Sequence, residues 1–145
     1  MYFCLLYPHL LHFRFELAHM TIDILLSTKN SEKYIEQQIH SILQQSRSDW
    51  VLLIRDDLSH DSTPYLIHKL QYLYPQKIQI IDDKSTNLGA SQSFSKLLEK
   101  SKSDYVMFCD QDDVWVPNKI ELTISKIQEL EYIHSKKTPL LVHSD

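Results

Sequence analysis

A single glycine, Gly89, serves all 145 residues. That scarcity removes the loops that cradle phosphate through bare backbone: neither a dinucleotide-binding glycine fingerprint nor a P-loop can be written. Any phosphate bound here must be held by side chains or by a metal. Cysteine is nearly as scarce. Cys4 and Cys109 are the only two, and Cys109 closes an apolar run, where a small buried side chain is the expectation rather than a disulfide or metal ligand. This usage fits a reducing cytosol. The eight histidines are scattered and form no zinc-type spacing with cysteine. No stretch approaches the ~20 apolar residues of a membrane span. An excess of positive charge is lacking too: the net charge is −4, which argues against nucleic acid held on an extended basic patch.

Residues 1–19 are apolar and aromatic but broken by Pro8, His9, His12, Arg14, Glu16 and His19. They lack the basic start and small-residue cleavage site of a signal peptide. Met20 stands directly before a well-patterned strand. The expectation is that Met20 is the natural start and residues 1–19 are an upstream extension outside the fold. An amphipathic helix at a membrane surface is the weaker alternative, because cationic residues are few there.

Apolar content of 43% supports one domain with a real core. From Thr21 strands and helices alternate. Ile22–Leu26, Trp50–Arg55, Lys77–Ile81 and Tyr105–Cys109 read as strands, and Leu140–His143 as the start of a fifth. Ser31 is placed to cap a helix running to Gln45, with Ile35, Ile39, Ile42 and Leu43 on one face. Ser62 or Thr63 caps a second helix with Pro64 in its first turn and a stripe of Leu66, Ile67, Leu70 and Leu73. Ala90–Lys100 forms a third, buried through Phe94, Leu97 and Leu98. Pro117 opens the longest, carried by Ile120, Ile124, Ile127 and Leu130. The fold class that follows is α/β, a mostly parallel sheet with helices on both faces.

Polar clusters punctuate the strand ends: Ser27-Thr28-Lys29-Asn30, Asp56-Asp57, Asp82-Asp83 and Asp110-Gln111-Asp112-Asp113. One such cluster is ordinarily a turn with aspartate as turn-former. Four on one edge of a parallel sheet converge on a single crevice. The last is the most informative. Asp110 and Asp112 repel by about 4 kcal/mol at about 4 Å and an effective dielectric near 20. A divalent cation turns that cost into a gain, and hard oxygen ligands suit Mg²⁺ or Mn²⁺. An acidic loop solvated by water is the plain alternative.

These segments resemble the amino-terminal half of a family 2 glycosyltransferase with the Rossmann-like GT-A fold. The similarity is greatest to the bacterial rhamnosyltransferase-like branch that builds surface polysaccharide. It is carried by Ile24–Asn30, Ile54–Ser62, Asn87–Ala90, Phe108–Trp115 and Leu141–Asp145, in family order and spacing, so residues 20–145 correspond to the nucleotide-sugar-binding part. The resemblance implies a Mn²⁺- or Mg²⁺-dependent, inverting transfer from a UDP- or dTDP-linked sugar to a glycan or lipid-linked acceptor. It implies a cytoplasmic location, with peripheral association at the inner face of the plasma membrane as a further expectation. Ser27, Thr28 and Asn30 would line the nucleotide-sugar site, and Asp57 would accept the pyrimidine imide N–H. Asp110 would contact ribose or metal, Asp112 would ligate the metal, and Asp113 would support the loop or approach the sugar. For Asp56 a salt bridge with Arg55 or a lysine is the expectation, and for Lys29 an exposed position.

Two departures stand out. Leu58 occupies a turn position usually held by glycine, where positive φ would strain a leucine and unsettle Asp57's aim. The general base that deprotonates the acceptor lies, in the family, past the nucleotide-binding half, so it is expected beyond Asp145 and the chain reads as truncated. Two other functions compete: a non-catalytic remnant that at most binds nucleotide, and a receiver-type α/β domain using acidic residues and Mg²⁺. The latter would require a matching lysine after the last strand, and none is evident.

Overall fold

A computed structural model describes residues 21–84, 87–134 and 138–143; residues 1–19 and their expected exclusion from the fold lie outside the described part. Four strands, β1 (Ile22–Thr28), β2 (Trp50–Asp56), β3 (Ile78–Ile80) and β4 (Tyr105–Cys109), alternate with four helices. The helices are α1 (Ile35–Leu43), α2 (Thr63–Leu73), α3 (Ala90–Lys100) and α4 (Lys119–His134). All ladders are parallel and the strand order is β3-β2-β1-β4.

The order explains the composition of each strand. β1 is central, covered on both faces, and reads as a nearly unbroken apolar run, as parallel strands do. Its one buried carboxylate, Asp23, accepts the Ser101 hydroxyl at 2.7 Å and the Lys102 amide at 3.0 Å, so it is satisfied at the α3–β4 connection. The larger core gathers Ile24, Leu26, Ile35, Ile39, Ile42, Leu52, Ile54, Ile67, Leu70, Ile120 and Ile124 beneath α1, α2 and α4. The opposite face is smaller: Leu25, Leu53 and Leu97, flanked by Phe94, Val51 and Val106, under α3 alone. Helices therefore do cover both faces, three against one.

Boundaries shift where side chains have other work. α1 begins at Ile35, not directly after Ser31, because the Ser31 hydroxyl is engaged elsewhere and only its carbonyl accepts the Tyr34 and Ile35 amides, both at 2.9 Å. At α2 neither Ser62 nor Thr63 caps through its side chain; Asp61 accepts the Thr63 amide at 2.9 Å. β3 is shorter than expected, although Lys77 and Ile81 still bond to β2 through the Leu52 amide and the Ile54 carbonyl. Leu73 and Leu98 are 57% and 50% exposed, so the α2 and α3 stripes are narrower than their periodicity suggests. For Leu98 the cause is α3's isolation, with no second helix beside it. The expected fifth strand is absent among the described residues: Leu140–His143 joins no ladder and Leu141 is 81% exposed. A run of three apolar residues carries too little periodicity to separate strand from coil.

Candidate functional site

Strand order places the site. From β1 the chain steps outward to β2 and β3, then returns through α3 to β4 on the other side of β1. Connections that leave in opposite directions from adjacent strands open a crevice between their carboxyl ends, and ligands of open α/β sheets bind there. A cleft of about 270 Å³ lies at that point. It is lined by Ser27, Thr28 and Lys29 from the end of β1 and by Asp110, Gln111 and Asp112 from the end of β4. Asp57, Gly89, Ala90 and Phe94 complete it. Phe94 meets Phe108 edge-on with centroids 5.4 Å apart, giving the cleft an apolar wall.

Asp110 and Asp112 are exposed at the mouth, and among the described residues no lysine or arginine forms an ion pair with either. Among the described residues no three histidine, cysteine or acidic side chains are placed so that together they could hold a metal ion. Asp110 and Asp112 both line the cleft, an oxygen donor set of the chemistry that suits Mg²⁺ or Mn²⁺. Such ions are commonly held by one or two carboxylates and complete their shell with water and substrate phosphate oxygens.

Asp57 is built differently. It is buried, and its Oδ1 accepts Arg55 Nη1 at 2.7 Å and the Leu88 amide at 2.8 Å, while Oδ2 accepts the Gly89 amide at 2.8 Å. Burial alone would raise the carboxyl pKa. The Arg55 guanidinium and the two amides outweigh it and hold Asp57 below the ordinary carboxylate value. Arg55 is itself 1% exposed and also donates to Asp83 at 3.1 Å and Ser93 Oγ at 2.7 Å. Burial opposes its charge, but Asp57 and Asp83 keep its pKa raised. Gly89 enters the adjoining turn with φ of 77°, a conformation suited to glycine, and thereby aims its amide at Asp57.

Several expectations change on this geometry. Arg55 pairs with Asp57 and Asp83, not Asp56. Asp56 instead closes its own turn, accepting the Ser59 amide at 2.9 Å and the Ser59 hydroxyl at 2.5 Å. Leu58 does adopt positive φ, 59°, yet Asp57 is fixed from three sides regardless. Asn30, also at positive φ (49°), does not line the cleft. Its amide donates to Ser59 Oγ at 2.8 Å and its Oδ1 accepts the His60 amide at 2.9 Å, bracing the loops after β1 and β2 together. Asp113 also lies off the cleft lining, and Lys29 is on it, only half exposed. Gln111, Gly89, Ala90 and Phe94 were not foreseen as site residues. The traces in sequence were Gln111, the one amide set among three carboxylates, and the Asn87–Ala90 segment with the lone Gly89; Phe94 read only as a core position of its helix. Cys109 is a free, buried cysteine, and burial pushes its thiol up to about 12.

Comparison with known proteins agrees with this architecture. The family model for glycosyl transferase family 2 matches residues 23–135. The dTDP-rhamnosyl transferase RfbG of Shigella flexneri is 36% identical over 102 residues, covering 68% of this chain and 35% of that protein. The crystal structure of S. aureus TarS 1–349 in complex with UDP superposes with a TM-score of 0.66 at 25% identity, over 76% of this chain and 32% of that one. A Mycobacterium tuberculosis glucosyl-3-phosphoglycerate synthase complex containing Mn²⁺ and UDP gives a TM-score of 0.59 at 21% identity, over 76% and 40% of the two chains, a likeness of fold. The chain thus spans well under half the length of each of these proteins. With the parallel sheet, the crevice at its reversal point and a family match over most of the described residues, the chain belongs to glycosyl transferase family 2.

Proposed function

We propose that this chain forms the donor-binding part of a transferase that moves a sugar from a nucleotide-diphosphate donor, UDP- or dTDP-linked, to a glycan or lipid-linked acceptor with inversion. The observation that carries the proposal is the pairing of Asp110 and Asp112 with the β1 loop across one cleft. Asp112, supported by Asp110, would hold Mn²⁺ or Mg²⁺ against the donor's diphosphate. When bound, such an ion offsets the negative charge that grows on the leaving diphosphate. Ser27 and Thr28 would flank the nucleoside and diphosphate from the β1 end. Asp57 Oδ2 takes one amide among the described residues, and the carboxylate is held toward its ionised form; an ionised carboxylate is acceptor-only and suits a pyrimidine imide N–H. The names of RfbG and of the TarS complex, with dTDP and UDP respectively, support a pyrimidine donor.

The test is a titration of UDP and dTDP with and without Mn²⁺, followed by Trp115 fluorescence in a Trp50→Phe background. Nucleotide binding that requires the metal and is lost in Asp112→Asn is expected. Equal binding by Asp112→Asn, or binding indifferent to Mn²⁺, would refute the ligand role.

A further inference from the structure

Gln111 sits between the two cleft carboxylates, and its side chain turns away from them into the opposite wall. Its Oε1 accepts the Lys29 amide at 2.9 Å and also the Ser31 hydroxyl. Ser31 is buried, receives the Thr28 hydroxyl at 2.9 Å, and donates its own amide to Thr63 Oγ1 at 2.7 Å. The Ser31 hydroxyl also lies 3.1 Å from the Lys29 carbonyl, so its single proton is shared between that oxygen and Gln111 Oε1, at the end of a chain that starts from the Thr28 hydroxyl. The Lys29 amide can only donate, so it fixes which end of the Gln111 amide faces the β1 loop. No other side-chain hydrogen bond among the described residues joins the β1 loop to the acidic loop after β4.

We infer that Gln111 is a positioning residue: its carbonyl latches the acidic loop to the β1–α1 loop and sets the distance across which Asp110 and Asp112 face Ser27 and Thr28. This rests on the donor-site reading above and deepens it. Without the latch, the Asp110–Asp112 repulsion acts on a loop held only at its two ends, by β4 and by the Trp115 amide on Ser41 Oγ at 3.0 Å. The carboxylates would then sample wider separations, and their order would have to be restored when cation and donor bind, at a cost in affinity.

The experiment uses the full chain and two readouts. Amide hydrogen exchange at Lys29 reports the latch itself, and UDP affinity at saturating Mn²⁺ reports its consequence. Gln111→Leu, which keeps bulk but removes the acceptor, is expected to speed Lys29 exchange and weaken UDP binding by about tenfold, or about 1.4 kcal/mol. Gln111→Glu preserves an acceptor of the same reach and is expected to keep Lys29 protected. Should the leucine variant not fold, Gln111→Asn, one methylene short, carries the same expectations. Unchanged Lys29 exchange in the leucine or asparagine variant, or exchange lost in Gln111→Glu, would overturn the latch. Faster Lys29 exchange with parental UDP affinity would overturn its positioning role. Absence of Mn²⁺-dependent UDP binding in the parent chain would instead strike the donor-site reading, with Lys29 exchange still judging the latch.

Discussion

Leu58 offers a direct measure of stored backbone strain. Its φ of 59° lies in the left-handed region, where a Cβ crowds the following carbonyl at about 1–2 kcal/mol. Replacing leucine alone confounds that strain with the loss of its apolar contacts, since Leu58 is 49% exposed and keeps partial burial. The informative comparison is therefore Leu58→Gly against Leu58→Ala. Both delete the same branched side chain, and they differ in whether a Cβ remains. Glycine escapes the left-handed penalty but loses about 0.5–1 kcal/mol more backbone freedom on folding. The difference should leave Leu58→Gly more stable than Leu58→Ala by about 0.5–1 kcal/mol, the reverse of the usual order for an exposed site. In a chain of this size that corresponds to a melting-temperature gap of about 2–3 °C. Urea denaturation at pH 7 with matched slopes would measure it. An alanine variant as stable as the glycine variant, or more so, would show that the turn relaxes and that no strain is held there. Because Asp57 is fixed by Arg55 and the Leu88 and Gly89 amides, both variants should keep parental nucleotide affinity.

Three further outcomes follow from the buried polar groups. Arg55→Met should cost about 3–5 kcal/mol by leaving Asp57 and Asp83 without their cation, while the double variant Arg55→Met/Asp57→Leu should recover part of it, both read as urea midpoints. Asp57 has a folded pKa below its ordinary value, so its contribution is present at and above about pH 4 and disappears as pH falls through the lower, folded value. Urea midpoints taken downward from pH 5 should decline, and Asp57→Asn should flatten that decline. Cys109, with its thiol raised to about 12 by burial, should resist iodoacetamide at pH 8 in the folded chain and react on unfolding, measured by mass in a Cys4→Ser background.

The fold was legible because its signals are local and mutually consistent. β4 and α3 have their expected bounds, Tyr105–Cys109 and Ala90–Lys100, since an apolar run ending at carboxylates and a helical stripe behind a lone glycine each point to one structure. The misplacements share a cause: a side chain that local rules assign to a cap or stripe was taken by a distant partner or left without one. Ser31 gives its hydroxyl to Gln111, Asp61 displaces Ser62 as the α2 cap, and Leu98 has no helix to meet.

The site divides along the same line. Residue types and spacing alone determined that phosphate could not be held by a glycine loop, that the Asp110–Asp113 run ends a buried strand, and that the polar clusters share one sheet edge. Only the tertiary structure decided which of those clusters meet. The reversal of strand order beside β1 brings the β1 and β4 loops together and leaves the Asp82–Asp83 cluster off the cleft lining. Asp57 became a strut as well as a cleft residue, Asn30 a brace between loops, and Gln111 a latch, because hydrogen-bond partners 29 to 82 positions away are chosen by chain crossover and not by neighbours in sequence.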